Sequence, residues 1–305
     1  MLNKDWKFKE VYPEISCYTT TWNCAAGGYP VEDSILSFSW CDKIVVVDGG
    51  STDGTKERLD KLKEQLGDKL EVYEIPIDET NPGKDGYQKA MALAMCATPF
   101  AIQFDIDEIC KGDSLKWRRM VKEMSPSIDI LVLPVMEPYG ELGKLRINDE
   151  HNVQKWRIYR TKPEITHGIP DGDRLERDGK IYSKGGSDGC FPIHIVHNQM
   201  YPSKPVESAR NLAALKRTKE WDGYKNAWVT LVESGEPYVL HLGHVNLKQK
   251  IQHYLTSWMK WWNLLYSRPM NNNIYFEGFE ASEISEEMID EKVEQLRKET
   301  PTIEL

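Results

Sequence analysis

Two short stretches hold residues whose types and spacing could do chemistry. The first is Val45-Val46-Val47-Asp48-Gly49-Gly50-Ser51-Thr52-Asp53-Gly54-Thr55. An apolar strand runs out into a glycine-rich turn, and a helix opens after it. In an open α/β sheet, ligands sit outside the carboxyl ends of the strands, where Asp48 stands. A carboxylate there can accept hydrogen bonds from a base N–H or a ribose hydroxyl. The glycine spacing is neither a dinucleotide fingerprint nor a P-loop. The same residues can also form an Asx-type turn, with Ser51 or Thr52 capping the helix. The second stretch is Phe100-Ala101-Ile102-Gln103-Phe104-Asp105-Ile106-Asp107-Glu108. If the strand continues, Asp105 and Asp107 point to one face. Paired carboxylates repel unless a cation lies between them, and Mn²⁺ or Mg²⁺ suits carboxylate and phosphate oxygens. An acidic strand end feeding a loop is the simpler alternative.

These residues need a frame. Ile15 to Thr20, Lys43 to Asp48, Leu70 to Ile75 and Pro99 to Asp105 read as strands. Val31 to Trp40, Ser51 to Leu66 and Lys84 to Ala97 read as helices, with Leu59, Leu62 and Leu66 on one face of the second. The alternation predicts an α/β fold with a doubly wound, mainly parallel sheet and helices on both faces. Ile128 to Met136, Gln154 to Arg160 and Phe191 to His197 are further strands. Thr161 to Gly189 reads as a long loop or small hairpin, of the kind used as a lid or acceptor wall. From about Pro205 the chain reads as helical, in Val206 to Trp221, Leu247 to Tyr266 and Ser282 to Glu299. Ser282 is the expected N-cap of the last, with Pro301 beyond its end. Tyr254, Trp258, Trp261, Trp262 and Leu265 form a helix stripe, read as core packing or as an aromatic platform for an acceptor.

Together the two acidic stretches resemble the inverting glycosyltransferases of family 2, which have the GT-A fold. The family pattern is an apolar strand, then VVD(D/G/S)GSTDGT, then a strand ending in D-x-D. Here Asp105 follows Asp48 by 57 residues. Thr19-Thr20-Thr21-Trp22-Asn23 looks like the family's opening strand and T-x-N segment, and Asn81-Pro82-Gly83-Lys84 looks like its N-x-G turn. The resemblance covers residues 14 to 110 strongly and the rest weakly. It implies a GT-A type domain at 1–200 that binds a nucleotide sugar and catalyses transfer, with a helical C-terminal extension at 201–305 packed on it. Thr19, Thr20, Thr21, Asn23, Asp48, Gly50, Ser51, Lys84 and Asp105 would border the nucleotide. Asp105 and Asp107 would hold Mn²⁺ or Mg²⁺ against the diphosphate. Many members have a second Asp where this chain has Gly49, and that Asp often contacts uracil. Its absence leaves the donor open among UDP, GDP, CMP and dTDP sugars.

Inverting transfer also needs a general base to deprotonate the acceptor hydroxyl. Asp171, Asp173 and Asp188 are the candidates. Trp156 to Arg160 followed by Thr166 to Asp171 loosely resembles a family strand and acidic turn. A histidine can complete the metal shell. His197, at the end of an apolar strand beside His194, and His244, beside His241, are the rivals. The resemblance leaves the acceptor open among a saccharide, a lipid-linked group and a protein.

Composition sets the outer bounds. The 305 residues carry 39 Lys+Arg against 48 Asp+Glu, a formal net charge of −9. A protein that coats a nucleic-acid backbone needs a basic surface. That class is disfavoured, although Arg157, Arg160, Lys162, Arg174 and Arg177 could form a local groove for a DNA acceptor. No apolar run approaches the roughly 20 residues of a membrane span. Met1 to Glu10 has no apolar core of a secretory signal. The six cysteines form no C-x-x-C pair, which fits free thiols in a reducing cytoplasm. The rival readings are a nucleotidyltransferase on a similar sheet and a non-catalytic nucleotide- or sugar-binding module. The stretch Cys24 to Pro30 lacks the Arg or Lys of a nucleotidyltransferase loop.

Overall fold

The computed structural model describes residues 10–81, 84–147, 154–162, 165, 167, 176–177, 180–181, 204–260, 274–277 and 279–305. Strand β1 (Ile15–Thr21), helix α1 (Val31–Ser37), β2 (Lys43–Asp48), α2 (Thr55–Leu66), β3 (Leu70–Glu74), α3 (Lys84–Ala94) and β4 (Phe100–Gln103) alternate as expected. The chain continues through β5 (Glu108–Lys111), α4 (Ser114–Lys122), β6 (Ile130–Met136), β7 (Pro138–Tyr139), β8 (Glu141–Arg146) and β9 (Gln154–Arg160). Then come β10 (Glu176–Arg177), β11 (Lys180–Ile181), α5 (Lys204–Thr218), α6 (Trp221–Glu233), β12 (Tyr238–His241), α7 (Leu247–His253), α8 (Glu286–Glu299) and β13 (Thr302–Glu304).

Eight strands form one sheet in the order β3-β2-β1-β4-β9-β6-β12-β5. The pairs β3/β2, β2/β1, β1/β4 and β6/β12 are parallel, and β4/β9, β9/β6 and β12/β5 are antiparallel. The protein is thus α/β, with a mixed, mainly parallel sheet. The apolar run in β2 suits a strand covered on both faces. Ile44 and Val46 pack with Ile15, Cys17, Leu59 and Leu62 on one side. Val45 and Val47 pack with Tyr18, Ala92 and Leu93 on the other.

The topology fixes where a ligand can sit. Helix α1 carries the chain from β1 to β2 on one side, and α3 returns it across β1 to β4 on the other. The strand order reverses between β1 and β4, which makes a crevice beyond their carboxyl ends. Pairing of β1 with β4 ends at Tyr18–Gln103, so Thr19–Thr21 run past the end of β4.

Three expectations need correction. Helix α2 begins at Thr55 rather than Ser51, because Gly50 (φ +85°) and Gly54 (φ +96°) take left-handed conformations that break the helix. Strand β4 stops at Gln103, so Asp105 and Asp107 are not on one strand face. Helix α8 is capped by Ser285, whose hydroxyl accepts from Met288 N–H at 3.2 Å, not by Ser282. Strand β12 lies in the central sheet, so residues on both sides of position 200 share it. Tyr254 is buried with Leu247, Ile251, Ile289 and Val293, which fits core packing. The Trp258 side chain and Trp261, Trp262 and Leu265 lie outside the described residues, as does Phe191 to His197. Within Thr161 to Gly189, β10 and β11 form a small antiparallel pair.

Candidate active site

The loop after β2 is built by two carboxylates. Asp48 is 1% exposed. Its Oδ1 accepts from the N–H groups of Gly50 (3.0 Å) and Ser51 (2.8 Å). Its Oδ2 accepts from the hydroxyls of Ser51 (2.6 Å) and Thr21 (2.8 Å). Asp53 accepts from Thr55 N–H (3.1 Å), the Thr55 hydroxyl (2.6 Å) and Ala26 N–H (2.6 Å). The segment after β1 is stitched to this loop. Asn23, at φ +50°, donates its N–H to Ser51 Oγ at 2.8 Å and accepts from Thr52 N–H at 2.9 Å. The Asx-type turn read from the sequence is therefore present, centred on Asp48.

A side chain at Gly49 would have to displace the end of the Ile77 side chain. A Cβ there would lie 2.6 Å from Ile77 Cδ1 and 3.2 Å from Trp22 Cβ. Its N–H donates to the Thr21 carbonyl, and its carbonyl accepts from Ile77 N–H. Lys84 Nζ stands 5.0 Å from the centroid of the Trp22 ring, and burial lowers its pKa. Thr21, Asn23, Asp48, Gly50, Ser51 and Lys84 are thus brought together. Thr19 points into the protein, 1% exposed, with its hydroxyl lacking a hydrogen-bond partner among the described residues.

After β4 the chain turns sharply, and Glu108 N–H donates to the Asp105 carbonyl at 2.8 Å. This separates the two acids of D-x-D. Asp105 meets Lys89 Nζ at 3.0 Å, an Arg157 guanidinium nitrogen at 3.0 Å and Gln103 Nε2 at 2.9 Å. Burial opposes its charge, but Lys89, Arg157 and Lys155 hold its pKa well below the usual carboxylate range. Arg157 also binds Glu108 at 2.6 Å and the Gln103 side-chain oxygen. Asp105 is thus committed to side-chain cations.

Asp107 faces a different partner. Its Oδ2 lies 3.4 Å from His241 Nε2. His241 Nδ1 lies 2.8 Å from Glu137 Oε1. Burial disfavours the charged imidazole, yet Asp107 and Glu137 on either side raise the His241 pKa to about 9. Burial likewise opposes the charge on Asp107, but His241 lowers its pKa to about 2. His244 follows, its ring centroid 6.1 Å from that of His241. Among the described residues, Glu137, His241 and His244 offer ligand atoms within 4.8 Å of one another. The set fits a divalent cation. It joins a carboxylate to two imidazoles, a donor set that first-row divalent ions accept. Glu137 Oε2 is buried and has no hydrogen-bond partner among the described residues. A proton and a metal ion are alternatives at the centre of such a set.

Beside Asp107 opens a cleft of about 310 Å³, bounded by Gly28 and Tyr29 of the segment after β1 and by Gly243, Asn246, Gln249 and His253. Gly28, Tyr29 and Asn23 belong to one segment, so the β2 loop, the D-x-D turn and the Glu137–His241–His244 cluster form a connected wall.

Of the predicted metal ligands, the structure brings His244 to the cluster and Asp107 to its edge. It also brings in His241, weighed with His244 in the sequence, and adds Glu137, whose 104-residue separation from His241 left no local signal. His197, His194, Asp171, Asp173 and Asp188 lie outside the described residues. The basic groove loses two members. Arg157 is 1% exposed, and Arg160 donates to the carbonyls of Met124, Ser125 and Ile128. Lys162 pairs with Asp129 at 2.6 Å. Arg174 and the Arg177 side chain are outside the described residues. No described helix is long and apolar enough to cross a membrane.

No family model matches the chain, and no curated protein does. It is similar in part to solved structures. One is S. aureus TarS 1-349 in complex with UDP, at 19% identity over 48% of this chain and 47% of that one, with a TM-score of 0.33. The match thus spans about half the length of that TarS chain. S. aureus TarS 1-349 also matches at 14% identity over 90% and 76% of the two chains, with a TM-score of 0.40. The mannosyltransferase PcManGT from Pyrobaculum calidifontis, in complex with GDP-Man and Mn²⁺, matches at 14% identity over 73% and 70%, with a TM-score of 0.37.

Proposed function

We propose that this chain is a GT-A type glycosyltransferase that moves a sugar from a nucleotide-sugar donor to an acceptor hydroxyl, using a divalent cation and inverting the anomeric carbon. One observation carries the reading. The glycine-rich loop after β2, the Asn23–Tyr29 segment and the Asp105–Asp107 turn lie beyond the carboxyl ends of β2, β1 and β4, and Asp107 reaches across to the Glu137–His241–His244 cluster at the ends of β6 and β12. A nucleoside diphosphate needs such a pairing of hydrogen-bonding loop and cation-binding acids.

In this reading Thr20, Thr21 and Asn23 border the nucleoside, and Asp48 fixes the backbone of Gly50 and Ser51 for it. Lys84, beside Trp22, adds positive charge. Asp105 serves indirectly by holding Lys89 and Arg157 under the turn. Glu137, His241 and His244 would hold a first-row divalent ion such as Mn²⁺, with Asp107 at the edge. The cation supplies neutralisation of the charge that develops on the departing diphosphate. A carboxylate from the 171–188 segment, Asp171, Asp173 or Asp188, takes the proton from the acceptor hydroxyl.

The test is a panel of UDP, GDP, CMP and dTDP sugars, scored by thermal shift and hydrolysis with and without Mn²⁺. At least one donor should raise the melting temperature in a Mn²⁺-dependent way. That response should disappear in Asp107→Ala and Glu137→Gln. No response to any donor would overturn the reading.

A further inference from the structure

The Glu137–His241–His244 cluster hangs on two loops, and residues 286–305 hold both. On the Glu137 side, β13 pairs with β8, placing Thr302 opposite Arg146 and Ile303 opposite Leu145. The Pro301 carbonyl accepts from Ile147 N–H at 3.1 Å. Just before it, the Thr300 hydroxyl donates to the Tyr139 hydroxyl at 3.1 Å. Tyr139 is buried. Its ring lies 25° from parallel to the His244 ring, with centroids 6.2 Å apart. The Arg146 guanidinium stands 5.0 Å from the Tyr139 ring centroid. Gly140, the next residue, donates its N–H to the His244 carbonyl at 2.9 Å.

On the histidine side, α8 packs Ile289 and Val293 against Leu247, Ile251 and Tyr254. Helix α7 begins at Leu247, directly after the His244 loop. Lys248 reaches Glu286 at 3.0 Å and Asp290 at 2.7 Å, which adds a second tie between the helices. One terminal segment thus fixes the loop that carries the carboxylate and the element that follows the imidazoles.

We infer that Thr300 and Tyr139 are positioning residues for His244 as a cation ligand, and that residues 286–305 brace the two loops at ligand distance. The inference rests on the metal reading of the cluster. The physical reason is orientation. The Tyr139 ring limits the tilt of the His244 ring, and the Thr300 hydroxyl limits the swing of Tyr139. Losing a group hydrogen-bonded to a metal ligand changes metal affinity about 10–100-fold, and a ring contact backed by one hydrogen bond falls at the low end of that range.

The experiment measures Mn²⁺ affinity by calorimetry and the visible spectrum of bound Co²⁺, on the full chain. The proteins are the wild type, Thr300→Val, Thr300→Ser, Tyr139→Phe, the Thr300→Val/Tyr139→Phe double variant and His244→Ala. Thr300→Val and Tyr139→Phe should each weaken Mn²⁺ binding about 10-fold, at the low end of that range. The double variant should be no weaker than either single one, because both delete the same bond. Thr300→Ser, which keeps the hydroxyl, should restore binding. A packing role alone would lower the melting temperature and leave Mn²⁺ affinity unchanged. If Thr300→Val and Tyr139→Phe bind Mn²⁺ like the wild type while His244→Ala does not, the brace is wrong and the metal site stands. If the wild type itself gives no Mn²⁺ heat and no Co²⁺ spectrum, the metal reading fails and the brace with it.

Discussion

The carboxylate of Asp48 bonds to Gly50 and Ser51 of its own loop and to Thr21 of β1, and that of Asp105 goes to Lys89, Arg157 and Gln103. Both were legible in the sequence as acids at strand ends, and so was the turn at Asp48, but their partners from other elements were not. Those partners come from β1, α3 and β9, which only the fold brings close. Arg157 shows what such a partner is worth. It is buried against Glu108, which has no exposed surface. Arg157→Leu leaves that carboxylate short of its main counter-charge, and removing one member of a buried ion pair costs roughly 3–5 kcal/mol. A urea midpoint lowered to match is expected, and Arg157→Lys should recover only part, since Lys lacks the fork that spans Gln103, Asp105 and Glu108. A loss below about 1 kcal/mol, the ceiling for an exposed pair, would show that the network is not holding the turn.

At the level of elements, the first hundred residues were the readable part. The valines of β2 and the leucines of α2 carry strong periodicities, and the glycines bound them. Strand β12 was not readable. Its four residues, Tyr238–His241, sit between helices and carry no alternation long enough to be seen. His241 and His244 were readable as rivals of His197, but nothing pointed to Glu137, because the link is between the end of β6 and the end of β12. A pH effect belongs to the end of α7. Burial lowers the His253 pKa to about 4, with Lys250 adding to the effect, and its ring sits edge-on to Tyr29 at 5.8 Å. The folded pKa lies below the unfolded value of about 6.5. The stabilisation from keeping this imidazole neutral is therefore complete above pH 6.5 and is lost as the pH falls towards 4. The loss amounts to ~3 kcal/mol at most. His253→Phe should flatten the fall in unfolding free energy between pH 7 and pH 4 by about that amount. An unchanged acid slope in the variant would rule out His253 as the source.

For the whole molecule, two cations that could have lined a basic surface are used in internal contacts instead. Arg157 is buried, Arg160 staples a turn, and neither is left to make a basic groove. The shared sheet bears on the expected division at residue 200. A fragment ending there lacks β12 and the helices α5 and α6, whose Leu212, Tyr224, Trp228 and Leu231 pack with Met136 and Leu145. Such a fragment should show no cooperative unfolding transition by circular dichroism. A sharp two-state melt would establish that the first 200 residues stand alone.

The place of β12 also has a consequence in time. It forms parallel pairs with β6 on one side and antiparallel pairs with β5 on the other. During synthesis, β5 and β6 emerge long before residue 238 does. At ~5–20 residues per second, the wait after β6 is on the order of 5–20 s. Through that interval two strand edges face outward with their final neighbour still unmade. Such edges invite pairing with other chains, so the nascent chain is most exposed to aggregation just before the strand bearing His241 arrives.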